Sequence, residues 1–116
     1  MAHFDSKEKA IKAAIVANEK KAYDTLILEL KGLTVIADYF VICSGESTTQ
    51  VRAICAHIES EFKKNAIRPL SIEGLGYAHW VLMDYGEVIV HVFEKETREY
   101  YELEKFWLDA PRIAIG

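Results

Sequence analysis

Between Trp80 and Glu94 the chain carries two apolar runs, Trp80 to Asp84 and Val88 to Glu94, separated only by Tyr85-Gly86-Glu87. So short a link leaves the two runs little choice but to fold back on each other. Gly86 can take the positive φ of a tight turn, which predicts an antiparallel hairpin. Two earlier runs also read as strands: Thr25 to Leu30, ended by Lys31-Gly32, and Tyr39 to Ser44, richer in aromatic and β-branched residues. Their apolarity is continuous rather than alternating, which predicts strands covered on both faces. Arg68 to Glu73 reads as a shorter strand, with Pro69 at its start or on an edge because proline has no amide hydrogen to give a ladder.

Helical spacing separates these runs. Asp5 or Ser6 can cap a first helix reaching about Lys20, with Glu8 completing a capping box and Ala10, Ile11, Ala14 and Ile15 forming an apolar face. After Gly45, Ser47 and Gln50 stand at capping spacing before the stripe Val51, Ile54, Cys55, Ile58 and Phe62, the pattern of an amphipathic helix on a sheet. Asn65 reads as its end. The order strand, helix, strand implies a right-handed parallel crossover. Thr97 to Trp107 reads as a last helix with Tyr100, Leu103 and Trp107 inward and Phe106 beside them. Pro111 ends anything helical. At 116 residues there is room for one core. The expectation is a single α/β domain, a mixed sheet flanked by helices on both sides.

Several function classes fall away on composition. No apolar run approaches the roughly 20 residues of a membrane-spanning helix. Met1-Ala2-His3-Phe4-Asp5 passes into a charged helix pattern without the apolar core of a secretion signal, which predicts a cytoplasmic protein. Cys43 and Cys55 stand alone, without ligand spacing, and read as buried thiols rather than metal ligands. The formal charge of −4, from 14 basic and 18 acidic residues, offers little material for a phosphate-gripping face. Direct nucleic-acid binding is disfavoured, whereas a basic protein partner fits.

Catalytic constellations do not emerge. Gly74-Leu75-Gly76 lacks the third glycine and the following helix of a dinucleotide fingerprint, so it reads as a turn. Ser44-Gly45-Glu46-Ser47 could offer amides to an anion, but a cap for the second helix explains it already. Asp24, Asp38 and Asp84 are isolated, and no Ser or Cys has an activating motif. His91, inside an apolar strand, reads as a core or subunit-contact histidine with one ring nitrogen satisfied; the rival reading is a general base, which would need a partner in a cleft. Trp80, Leu82 and Asp84 share one side of their strand by alternation, with Tyr85 following at the turn. That row is either core or an exposed anchor cluster. Five glutamates between Glu94 and Lys105 face three basic residues, a solvated helix face that would also suit a basic partner.

Three blocks carry a family resemblance: Asp38 to Gly45 with Ser47; Trp80 to Phe93; and Arg98 with Tyr101-Glu102-Leu103-Glu104 and Trp107. In this order and spacing they resemble the ribosomal silencing factor (Iojap) family, from about the first helix to Trp107, with residues 108–116 a tail. The resemblance implies a nucleotidyltransferase-like domain without the catalytic acidic pair, and so no enzyme and no cofactor. It implies docking on a basic ribosomal protein at the intersubunit face of the large ribosomal subunit, steric exclusion of the small subunit, repression of translation, and a homodimer when free. Large-subunit assembly is the alternative role, a nucleotidyltransferase-like enzyme a weaker one. Carried onto this chain, the partner-binding residues are Trp80, Leu82, Asp84, Tyr85, Tyr101 and Glu104.

Overall fold

The computed structural model describes residues 4–115. Met1 to His3, part of the reading of the N-terminus, and Gly116, the end of the expected tail, lie outside the described residues. Helix α1 (Ser6–Glu19) is followed by β1 (Tyr23–Glu29), β2 (Tyr39–Gly45), α2 (Thr48–Lys63), β3 (Ser71–Glu73), β4 (Trp80–Asp84), β5 (Val88–Glu94), α3 (Lys95–Tyr101) and a 3₁₀ helix (Leu103–Trp107). The strands form one mixed sheet in the order β1-β2-β5-β4-β3. Among the described residues only β2 and β5 run parallel as neighbours, in an unbroken register from Tyr39 opposite Val88 to Gly45 opposite Glu94. The β4–β5 hairpin is antiparallel and turns through Gly86 at φ 88°, as its spacing predicts.

Helices α1 and α2 cover one face of the sheet. The α2 stripe Val51, Ile54, Cys55, Ile58 and Phe62 is wholly buried, and Ser47 caps the helix by accepting from the Gln50 amide. Asp5 and Glu8 form the expected capping box on α1. The inward face of α1 is Ala10, Ala13, Ala14 and Ala17 with Val16 beside them, not Ala10, Ile11, Ala14 and Ile15: Ile15 is 42% exposed and Ile11 only partly buried. Alanines at i, i+3, i+4 and i+7 let the helix pack closely against the sheet and α2.

Four expectations change with the topology. All seven residues of β2 are buried, but β1 is an edge strand with a bulge between Tyr23 and Leu26 and several half-exposed residues, so of these two strands β2 has cover on both faces and β1 does not. The run Arg68 to Glu73 shortens to β3 because Pro69 precedes the paired part. The crossover through α2 joins parallel strands separated by β5 and β4, not neighbours. Finally, the last helix is broken: Glu102 takes a left-handed conformation at φ 49°, ψ 49°, and the chain restarts as the 3₁₀ helix. The break turns Tyr100 and Phe106 outward, 81% and 77% exposed, and buries Arg98 instead.

The second face of the sheet carries a smaller core of Leu28, Leu30, Phe40, Ile42, Ile89, Phe93 and Ala110, against which Trp80, Leu82, Leu103 and Trp107 pack. Beyond Trp107 the chain lies along the outer edge of β1. The Glu29 amide donates to the Pro111 carbonyl at 2.8 Å, and the Ile113 amide to the Ile27 carbonyl at 2.9 Å.

Candidate partner-binding face

Alternation along β4 buries Val81 and Met83 under the helices and leaves Trp80, Leu82 and Asp84 half-buried on the opposite face. Trp80 stacks on Phe93 with ring centroids 4.8 Å apart and meets the Tyr101 ring at 5.2 Å. Tyr101 itself is 51% exposed. Leu82 lies between His91 on β5 and Glu73 on β3 in the ladder registers. Glu73 therefore joins Asp84 in bordering the row with acid. Beyond Trp80, His79 Nδ1 lies 2.9 Å from Glu94 Oε1. The Asp84 carboxylate also has a local task, accepting the Gly86 amide at 2.8 Å to tighten the hairpin turn. Trp80, Leu82, Asp84 and Tyr101 thus come together as one aromatic, acid-bordered surface.

Tyr85 and Glu104 do not join them. Tyr85 is 4% exposed on the opposite face, its ring edge-on to Phe62 at 4.7 Å. Alternation itself sends it there, because the residue after Asp84 points through the sheet. Its buried hydroxyl has no partner among the described residues, and desolvation raises its pKa well above that of an ordinary tyrosine. Glu104 accepts from Arg98 Nε at 3.1 Å, while Arg98 Nη1 donates to Ser44 Oγ at 2.8 Å. These bonds tie the 3₁₀ helix through α3 to the end of β2, beside a cleft of about 650 Å³ that Tyr23, Asp24 and Arg112 also line. Glu104 is a structural anchor of the element next to the surface, away from Trp80. Arg98 carried no signal of burial in the sequence.

His91 was legible as buried but not as a partner of Trp80. The indole Nε1–H donates to His91 Nδ1 at 3.1 Å. Indole is a donor only, so His91 must be neutral with its proton on Nε2, which has no partner among the described residues. Burial lowers the His91 pKa from 6.5 to about 4. As pH falls from about 6.5 towards 4, the unfolded chain takes up this proton before the folded one, so stability should decline across that window and owe nothing to His91 above it. Urea midpoints at pH 7 and pH 4.5 test this: the acid loss should be smaller in His91→Phe than in the parent. An equal loss would remove His91 as a cause.

Among the described residues no three His, Cys, Asp or Glu side chains gather as metal ligands, and no helix is long and apolar enough to cross a membrane. Cys43 and Cys55 are free and buried, and desolvation raises both thiols to about 12, far from a reactive thiolate.

Fold and surface together define a small α/β domain, its mixed sheet flanked by α1 and α2 on one face and by the 3₁₀ helix beside an aromatic, acid-bordered row on the other. The family model described as "Ribosomal silencing factor during starvation" matches residues 3–116. The chain belongs to that family. It is 48% identical over 99 residues to Ribosomal silencing factor RsfS of Bacillus subtilis, covering 85% of this chain and 84% of that one. A protein of the same name from Halalkalibacterium halodurans is 41% identical, with 95% of each covered. A more distant relative, Mitochondrial assembly of ribosomal large subunit protein 1 of Mus musculus, is 34% identical over 77% of this chain and 40% of its own length. The fold matches a crystal structure of a Chromobacterium violaceum protein with a TM-score of 0.86 at 28% identity, covering 90% of this chain and 87% of that one.

Proposed function

We propose that this protein silences translation in the cytoplasm by docking on the large ribosomal subunit and sterically excluding the small one. The observation that carries the reading is the half-exposed row of Trp80, Leu82 and Tyr101 bordered by Glu73 and Asp84. Aromatic anchors inside a polar rim are the composition of protein interfaces, and an acidic rim favours a basic ribosomal protein over ribosomal RNA. The relatives named as silencing factors support the same role, and no chemical step is needed for it. Free in solution the chain is a homodimer, and one copy docks per large subunit.

The mouse relative's name favours a second reading, assembly of the large subunit. Gradient sedimentation separates the two. Silencing predicts that protein added to mature large subunits before small subunits lowers the yield of joined ribosomes. Assembly predicts co-sedimentation with immature particles and no effect on joining. An unchanged yield at saturating protein would sink the silencing reading.

A further inference from the structure

We infer that His91 is the positioning residue for Trp80: its Nδ1 holds the indole N–H and so fixes how the ring is presented to a partner. The inference rests on Trp80 belonging to the docking surface.

An indole at a half-exposed strand position could turn its N–H to water and meet no cost. Here the N–H points inward to His91 at 3.1 Å, while the ring stacks on Phe93 and the tilted Tyr101 ring lies 5.2 Å away. Trp80 and His91 are diagonal neighbours across β4 and β5, since Leu82 stands opposite His91 and Trp80 opposite Phe93, a spacing that aromatic side chains span. The acceptor is itself rigid. His91 is 3% exposed on the middle strand of the sheet, with the edge-on Phe40 ring at 4.5 Å. A histidine there is costly, because its Nε2–H is buried without a partner among the described residues. Packing alone would be served as well by phenylalanine or leucine, matching the apolar residues around it. What histidine adds is the acceptor, and the acceptor is spent on Trp80. A ring held in its bound orientation loses less entropy on docking than a free one.

The test combines indole ¹⁵N–¹H spectra with binding to large ribosomal subunits. The chain has two tryptophans, so Trp107→Phe assigns the Trp80 indole resonance. His91→Phe, with His91→Leu as a second apolar variant, should shift that resonance, speed its exchange with solvent and weaken docking about five- to tenfold, the typical net worth of one such bond. His91→Asn, whose side-chain oxygen falls near the Nδ1 position, should keep both the resonance and the affinity. In a Trp80→Phe background, which has no indole donor, His91→Phe should weaken docking no further. An unmoved Trp80 resonance in both apolar variants overturns the inference, as does equal weakening by the asparagine and the apolar variants. Docking undiminished in Trp80→Phe would instead remove the surface assignment, and this role with it, although the indole signature remained.

Discussion

Trp80→Ala is expected to weaken docking on the large subunit at least about thirtyfold and to restore subunit joining, in a domain that stays folded. Aromatic anchors at interface centres commonly carry about 2 kcal/mol or more, which sets that factor. Sequence alternation alone left two possibilities, core or anchor, and the geometry gives Trp80 a share in each. Its ring covers Phe93 and touches Tyr101, so truncation also costs folding free energy. Because Trp80 is only half-buried, that cost should fall below the ~3–5 kcal/mol of a fully buried tryptophan, leaving the domain folded at room temperature. Circular dichroism melts beside the joining assay resolve the two effects. A folded Trp80→Ala protein that still blocks joining at parental concentrations would take Trp80 out of the surface.

Gly74→Ala should be the most damaging single methyl group in the chain. Gly74 sits at φ +88°, and a Cβ added there would lie 2.2 Å from the Trp80 carbonyl oxygen, a backbone atom that cannot swing aside. A left-handed conformation costs a non-glycine residue about 1–3 kcal/mol, and forced overpacking about as much again. The sum, roughly 2–6 kcal/mol, is a large part of the 5–15 kcal/mol that typically holds a domain together. Relief would come by pushing the start of β4 outward, so surviving protein should also dock poorly. Gly76→Ala is the control: nothing lies within 4 Å of its Cβ, and it should stay within about 0.5 kcal/mol of the parent. A Gly74→Ala urea midpoint matching that of Gly76→Ala would contradict the described approach of the two backbones.

The two glycines also mark how far sequence reasoning reaches. Gly74-Leu75-Gly76 could be read as a turn because no helix follows, but which glycine is sterically required depends on a carbonyl six residues away. The hairpin and the α2 stripe were legible because each is a local period with its own turn or cap. The surface was legible in part: alternation groups Trp80, Leu82 and Asp84, and the same alternation sends Tyr85 to the helix side, against its assignment by resemblance. The broken last helix had no comparable signal. In a continuous helix Arg98 and Glu104 would lie about 120° apart around the axis; the left-handed Glu102 brings the carboxylate back to the guanidinium. A long-range need, satisfying a buried arginine against Ser44 on β2, sits where periodicity predicts an uninterrupted helix. The Trp80–His91 bond was likewise out of reach, since it depends on the register between two strands.

The strand order has a consequence for how the protein comes into being. β5 is inserted between β2 and β4, yet its residues follow those of every other strand. While the chain is being made, β2 waits with one side unpaired, although all seven of its residues end up buried. Such an edge can recruit any extended segment nearby, so an arrested nascent chain would be prone to stick to its neighbours. The same arrangement makes the loop between α2 and β3 a natural place to divide the molecule. Each fragment would carry one half of the β2–β5 ladder, and mixing them could rebuild the sheet from two separate polypeptides.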